Sequence, residues 1–303
     1  MRAARERRMM MKKRTVVAGF AGCVVVAGAV LAGFLGKGRG SGQPGQQTGT
    51  IRDARISESS GIVASRRWPG VFWTHNDQGS EPVLYAISRE GRLIGEFKVD
   101  AENHDWEDIA IDGEGRLYIG DIGDNGREGK HIEVLCISEP DMPRPGASGK
   151  PLAVVKRWRL GFPDKPFDCE SLFIHGGSGY VISKLPKGRA AGLYQFPLDD
   201  GRKSPVLKKV ATLPIDSPVT GADIAADGSR LAVVSMKSLD VFDIAGDPAR
   251  AGSSQSWRRI ALHAPHDIEA CCFVPGGVLT SAESREIYYF PDSLFDACER
   301  LTR

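Results

Sequence analysis

Four glutamates recur at nearly even spacing along the chain, and each stands at the start of a short apolar run. They are Glu58, Glu107, Glu170 and Glu269, and a fifth stretch of the same pattern begins at Ala222 without an acid. The steps between the five stretches are 49, 63, 52 and 47 residues. A period near 50 residues indicates a repeat architecture, in which acids far apart in sequence can converge in space. Carboxylates gathered in this way are ligands for hard cations such as Ca²⁺.

A second set of polar residues lies at the end of the second strand of each repeat. Because the start of one antiparallel strand lies beside the end of its neighbour, both sets should meet at one rim. The predicted ligand-binding residues are Glu58, Asn76, Glu107, Asp121, Glu170, Lys184, Glu269 and Glu283. The predicted metal ligands are Glu58, Glu107, Asp121, Asp124, Glu170 and Glu269, with Ca²⁺ as the expected ion. The alternative is structural, since an acid at a strand start can accept hydrogen bonds from neighbouring backbone N–H groups.

His75 and Asp77 are the candidate catalytic residues, because a histidine beside a carboxylate could act as a general base. The alternative is a hydrogen-bonded turn. His104 could reach the same rim. Trp73 and Trp106 could line it for a sugar or acyl group, although packing between repeats is the favoured interpretation.

Sequence motifs exclude several enzyme classes. The chain has no Gly-x-Ser-x-Gly elbow, phosphate loop or Gly-x-Gly-x-x-Gly fingerprint, so a serine hydrolase, kinase or dinucleotide enzyme has no support. Two functions remain. One is a binding module whose acidic mouth holds a cation, a small ligand or a partner protein; the other is a metal-dependent hydrolase acting on a lactone, ester or phosphoester.

The elements that must position these residues are short strands. Each repeat contains about four runs rich in Val, Ile, Phe, Tyr and Trp, separated by glycine turns. This predicts an all-β, five-bladed β-propeller with four-stranded antiparallel blades. Six blades would require a degenerate blade within the long second step. The fifth repeat lacks one strand, and Thr50 to Ile56 is predicted to supply it by pairing with the strand from Glu286 to Phe290.

The stretches that open the repeats also resemble a known family. Glu58-Ser-Ser-Gly, Asp105-Trp-Glu-Asp-Ile, Cys169-Glu-Ser-Leu, Val219-Thr-Gly-Ala-Asp-Ile and Ile268-Glu-Ala-Cys resemble, in order, the blade openings of the SdiA-regulated (YjiK-type) β-propeller family. The resemblance extends over residues 57–290 at the level of blades. More distantly, the chain is similar to regucalcin-type and esterase-like phytase propellers, which share acidic channel positions. The resemblance implies the fold more strongly than a reaction.

The N-terminus is predicted to direct export. Residues 1–14 carry seven basic residues and one Glu, and the uncharged run 15–36 is long enough to span a bilayer. This predicts a single-pass anchor with the N-terminus inside and an extracytoplasmic propeller; cleavage as a signal peptide and secretion is the alternative. Residues 37–49 are predicted to be a flexible linker and 50–303 the propeller. The net charge of +2 leaves −4 beyond residue 14, so no nucleic-acid partner is expected.

Five cysteines follow Cys23, so at least one is unpaired within the chain. One of Cys271 and Cys272 could form a disulfide with Cys298. The favoured interpretation is that Cys136, Cys169 and one of Cys271 and Cys272 are small buried apolar residues.

Overall fold

The computed structural model describes residues 44–124, 126, 129–142, 149–185, 189–199, 204–253, 257–263 and 268–298. The predicted basic flank 1–14 and apolar segment 15–36 lie outside these residues. Among the residues described, no helix is long and apolar enough to cross a membrane. Helix α1 (Asp292–Ala297) has six residues and follows the last strand.

Five four-stranded antiparallel sheets form the blades of a β-propeller, as predicted. Blade 1 contains β2 (Ser59–Ala64), β3 (Val71–Asn76), β4 (Val83–Ser88) and β5 (Leu93–Lys98). Blade 2 contains β6 (Trp106–Ile111), β7 (Arg116–Asp121), β8 (His131–Ser138) and β9 (Val154–Gly161). Blade 3 contains β10 (Cys169–His175), β11 (Ser178–Ser183), β12 (Gly192–Pro197) and β13 (Lys208–Thr212). Blade 4 contains β14 (Val219–Ile224), β15 (Arg230–Ser235), β16 (Ser238–Asp243) and β17 (Trp257–Ala261). Blade 5 contains β18 (Ile268–Val274), β19 (Gly277–Ala282), β20 (Glu286–Pro291) and the N-terminal β1 (Gln46–Thr50).

The N-terminal strand closes the ring by pairing antiparallel with β20. The strand is β1, so it begins four residues before the predicted start and inside the range assigned to the linker. Residues 51–56 form no strand and instead bury Ile51 and Ile56. Gly91 allows the close approach between blade 5 and blade 1, since its φ is 81° and a Cβ there would collide with the carbonyl of Thr50.

The core consists of five apolar clusters, one at each contact between adjacent blades. Each inner strand contacts the inner strands of both neighbouring blades, so the five blades form a closed ring. Inner strands such as β2 and β6 are buried along most of their length, whereas the outer strand β5 alternates between covered and exposed residues. Trp73 and Trp106 are completely buried in the cluster between blades 1 and 2, which confirms their predicted packing role.

Two carboxylates satisfy backbone groups on the inner edges of the blades. These edges face the channel, where N–H groups have no further strand to pair with. Asp108 Oδ2 accepts from the N–H of Leu172 at 2.8 Å and of Ala222 at 3.4 Å, and so joins blade 2 to blades 3 and 4. Asp223 Oδ2 accepts from the N–H of Phe273 at 2.8 Å and joins blade 4 to blade 5. These two aspartates thus join blades in the way that was the structural alternative for the acids at the strand starts.

The described cysteines are free thiols. Cys136, Cys169, Cys271 and Cys272 are buried, and Cys298 is half-buried. Burial raises the pKa of Cys271 and Cys272, which keeps both thiols protonated. The predicted role as small buried residues is confirmed for Cys136 and Cys169, and it holds for both Cys271 and Cys272 rather than for one of them. The alternative disulfide to Cys298 is not formed.

Candidate functional site

An irregularity near the start of every inner strand sets the position of the acids. In each blade the pairing of the first two strands shifts by one residue, as in a β-bulge. The residues at the shift are Ser60, Glu107, Glu170, Thr220 and Glu269. The sequence alignment was therefore wrong by two residues in two blades. Ser60, not Glu58, occupies the position of Glu107, and Thr220, not Ala222, does so in blade 4.

The hydroxyls at this position join neighbouring blades. Ser60 Oγ donates to the carbonyl of Glu107 at 2.9 Å, and Thr220 Oγ1 donates to the carbonyl of Ile268 at 2.8 Å. Glu58 is two residues earlier, at the position of Asp105 and Asp168. The ring therefore has two layers of polar side chains at its opening.

The predicted acids do converge on one cavity at the start of the inner strands. The cavity, here called the mouth, has a volume of about 400 Å³. Its lining residues are Glu58, Ser59, Ser60, Asp77, Gln78, Glu107, Glu170, Lys184, Glu269 and Glu283. Six carboxylates and one ammonium group thus face one opening. Mutual repulsion between carboxylates in such a space favours protonation or a bound cation.

Asn76 ends β3, Asp121 ends β7 and Asp124 follows β7, and all three hold backbone groups near the mouth. Asn76 Oδ1 accepts from the N–H of Glu58 at 3.3 Å, and its Nδ2 donates to the carbonyl of Arg55 at 2.7 Å. Asp124 donates its backbone N–H to Asp168 Oδ1 at 2.9 Å, and its Oδ2 accepts from the N–H of Gly129. These side chains hold the backbone of the loops in place.

Asp121 has the same supporting role in blade 2. Its Oδ1 accepts from the N–H of Asp105 at 2.7 Å, and its Oδ2 lies 2.9 Å from His104 Nδ1. The hydrogen bond to Asp121 raises the pKa of His104. His104 remains largely exposed, with 64% of its side chain accessible, and its Nε2 lies 3.0 Å from Glu102.

The two candidate catalytic residues lie in different places. Asp77 lines the mouth. His75 is completely buried, with its ring edge-on to Trp106 and its Nδ1 3.1 Å from the carbonyl of Asn76. Burial lowers the pKa of His75, so the ring is neutral. A Cβ on Gly61 would lie 2.8 Å from His75 Nε2, which shows how tightly the ring is enclosed.

Two groups of three carboxylates share Glu107, which lines the mouth. Asp77, Asp105 and Glu107 form the first triad, and Glu107, Asp168 and Glu170 form the second triad. Within each triad the candidate ligand oxygens lie within 4.8 Å of one another. Asp105 and Asp168 were not predicted as site residues. The signal was present in the sequence as an Asp-x-Glu pattern, Asp105-Trp-Glu107 and Asp168-Cys-Glu170, which recurs at Asp267-Ile-Glu269.

Crowding makes the first triad a proton-holding site when no cation is present. Burial and the neighbouring Asp77, Asp105 and Asp168 raise the pKa of Glu107 to about 10. Burial, followed by the charge of Asp77, raises the pKa of Asp105 to about 6. Asp105 Oδ1 is buried and has no hydrogen-bond partner among the described residues. A Cβ at Gly123 would collide with the carboxylates of Asp105 and Glu107, so only glycine leaves room for this pair.

The second triad already has partners. Lys184 Nζ forms an ion pair with Glu170, and both side chains are mostly buried. Asp168 Oδ1 accepts from the N–H of Asp124. An ammonium group and a peptide dipole therefore offset part of the negative charge in this triad.

Comparisons with known proteins show similarity of fold. No protein-family model matches the chain, and no curated protein matches it. Hydrazine synthase from Kuenenia stuttgartiensis is 18% identical over 75% of this chain, with a TM-score of 0.38, and the chain spans only 56% of it. A nidogen/laminin complex is 14% identical over 82% of this chain and 81% of that chain, with a TM-score of 0.45. A gluconolactonase from Xanthomonas campestris is 14% identical over 77% of this chain and 71% of that chain, with a TM-score of 0.44. Similarity at these levels does not assign the function of any of these proteins to this chain.

Proposed function

We propose that the mouth binds a hard divalent cation, with Ca²⁺ as the expected ion, and that the propeller is a binding module. The observation that carries this proposal is the first triad. Its three carboxylates lie within 4.8 Å of one another, and Asp105 contributes a buried oxygen with no partner in the described part of the chain. A buried acceptor without a partner is costly, and a bound cation removes that cost.

Ligand chemistry supports an oxygen-preferring ion. The triad offers carboxylate oxygens only, and the wider mouth adds the hydroxyl of Ser60 and the amide of Gln78. Ca²⁺ accepts about six to eight oxygen ligands at flexible angles, whereas Mg²⁺ requires near-octahedral geometry and retains water. The residues present suit Ca²⁺, with water completing the shell. The bound ion would leave the outer carboxylates Glu58 and Glu283 free to orient a small ligand or a partner loop.

The proposed location is outside the cytoplasm. It rests on the basic residues 1–14 and the apolar run 15–36, either as an anchor or as a cleaved signal peptide. The low millimolar Ca²⁺ affinities of extracellular modules would be sufficient there. Membership of the SdiA-regulated (YjiK-type) family is proposed on the blade-opening motifs alone.

A second candidate function is cation-dependent hydrolysis of a lactone, ester or phosphoester. His104 favours it, because the buried carboxylate of Asp121 fixes its orientation one residue from Asp105. His75 is enclosed in the core and cannot serve as the base. The raised pKa of His104 and its contact with Glu102 favour the protonated ring, which cannot accept a proton as a general base, so binding remains the first proposal.

The test is direct measurement of divalent-ion binding by the purified full-length protein. We expect isothermal titration to show saturable Ca²⁺ binding with weaker Mg²⁺ binding, and Ca²⁺ to raise the melting temperature by mass action. Absence of binding and of thermal stabilisation by any divalent ion would refute the cation proposal. The same preparation, assayed against ester, lactone and phosphoester panels with and without Ca²⁺, decides the second candidate.

A further inference from the structure

A second pocket lies on the same face as the mouth but farther out along blade 3. Its position follows from the residues around it, which come from the loop before β10, the end of β11 and the start of β12. The described lining residues are Asp164, Lys165, Pro166, Phe167, Ser183, Leu185, Arg189, Ala190, Tyr194 and Lys209, around about 1060 Å³. Ser183 and Leu185 flank Lys184 of the mouth, so the two cavities are neighbours.

The charge of this pocket is opposite to that of the mouth. Lys165, Arg189 and Lys209 are exposed, and Asp164 is the single acid among the described lining residues. The formal charge is therefore +2, within a chain that carries −4 beyond residue 14. A third pocket, at the other end of the inner strands, provides a contrast. There Arg116 pairs with Asp112 and Glu114, and Lys156 pairs with Asp199.

An aromatic surface forms one wall. Tyr194 stacks on Phe167 with ring centroids 4.4 Å apart, and Phe167 packs edge-on against Phe162 at 4.8 Å. Phe167 is buried, whereas Tyr194 is only partly covered. Gly192 makes room for the tyrosine ring, since a Cβ there would lie 2.7 Å from Cε2 of Tyr194. The ring of Tyr194 is thus held at a fixed angle beside the cations.

We propose that this pocket binds an organic phosphate monoester. A phosphate monoester carries about −1.5 to −2 at neutral pH and complements the formal charge of +2. Arg189 supplies the planar guanidinium that matches phosphate oxygens, while Lys165 and Lys209 supply point charges. The apolar or aromatic body of the ligand packs against Tyr194 and Leu185. The phosphate belongs either to a soluble metabolite or to a lipid headgroup, because both present the same group.

The matched variants are Lys209→Met and Lys208→Met. The two lysines are adjacent and exposed in β13, and only Lys209 lines the pocket. With the full-length protein and phenyl phosphate as the probe, we expect Lys209→Met to weaken binding about tenfold, as for loss of a charge-assisted hydrogen bond. Lys208→Met should leave binding unchanged. Tyr194→Leu should weaken phenyl phosphate but leave inorganic phosphate unaffected.

Vesicles containing phosphatidic acid provide the second arm. Binding to them that depends on Lys209 but not Lys208, without binding of phenyl phosphate, identifies a lipid headgroup as the source of the phosphate. Binding of phenyl phosphate without vesicle binding identifies a soluble ligand. The proposal is overturned if neither probe binds in a Lys209-dependent way, or if Lys208→Met and Lys209→Met lose affinity equally.

Discussion

The first triad and the second triad share Glu107 and lie in one mouth, but they differ in what already surrounds them. In the second triad Lys184 pairs with Glu170, and a peptide N–H donates to Asp168. In the first triad Asp105 retains a buried oxygen without a partner in the described residues. Neighbouring carboxylates can thus have opposite roles, because a resident ammonium group satisfies one set and leaves the other to a proton or an external ion.

The largest expected effect comes from Glu107, which both triads need. Wild-type protein should gain about 2.7 kcal/mol of stability when the Ca²⁺ concentration is 100 times Kd, and Glu107→Gln should lose all of this gain. Without Ca²⁺ at pH 7, Glu107→Gln should be more stable than the wild type, because folding of the wild type requires Glu107 to hold a proton that the unfolded chain releases. Thermal unfolding with Ca²⁺ or EDTA provides the measurement.

Glu269→Gln is the matched control for this variant. Glu269 lines the mouth at the same bulge position but belongs to neither triad. It should retain most of the Ca²⁺-dependent gain. Equal losses in Glu107→Gln and Glu269→Gln would show that the whole rim, rather than a triad, holds the ion.

Asp105→Asn and Asp168→Asn separate the two triads. Asp105→Asn removes one charge from the set without a resident cation, so the Ca²⁺ dissociation constant should rise at least about tenfold. Asp168→Asn should raise it by less than about threefold, since Lys184 and the N–H of Asp124 already offset the charge there. Calorimetric titration of both variants decides the question. A larger rise of the Ca²⁺ dissociation constant in Asp168→Asn than in Asp105→Asn would assign the ion to the second triad.

A further effect is the dependence of stability on pH. The folded-state pKa of Glu107 is about 10, against 4.5 for a free glutamate. The folded state therefore binds more protons than the unfolded state. The stability that this proton contributes is fully present below pH 4.5 and is lost as pH rises through about 10. Asp105 causes a further loss of stability as pH rises from 3.8 to about 6. In EDTA the melting temperature should fall as pH rises from 5 to 8. Addition of Ca²⁺ should raise the melting temperature more at pH 8 than at pH 5.

Glu107→Gln supplies the comparison for the pH series. Glutamine does not titrate, so the slope between pH 6 and pH 8 should flatten in this variant. A slope equal to that of the wild type would mean that other groups cause the pH dependence and that Glu107 does not hold a proton in the mouth.

Sequence patterns predicted the ring well because the propeller follows from local features. Short apolar strands, glycine turns and a period near 50 residues led directly to five blades. The missing strand of the fifth repeat indicated closure by the N-terminus. The position of that strand was wrong by four residues, because Gln46–Thr50 is polar and lacks the apolar signature of a blade strand. Its pairing depends on the open edge of β20, which is a tertiary feature.

The candidate site was predicted as a region, but Asp105 and Asp168 were not among its predicted residues. Repetition of an acid at each blade opening ensures that these acids converge, whatever the details of packing. Glu58 was matched to Glu107 because both are acids, whereas the strand pairing places Ser60 at the position of Glu107. His75 was a candidate base because it adjoins Asp77, but alternation along β3 directs its ring into the core beside Trp106.

The sequence alone therefore determined the architecture and the sign of the charge at the mouth, because both depend on periodic residue types. The tertiary structure decided which carboxylates lie within 4.8 Å of one another, which one pairs with Lys184, and which ones accept hydrogen bonds from nearby backbone groups. These roles depend on distances of a few ångströms between side chains from different blades. Asp105 and Lys184 are 79 positions apart in the chain, and only the closed ring brings their blades to one opening.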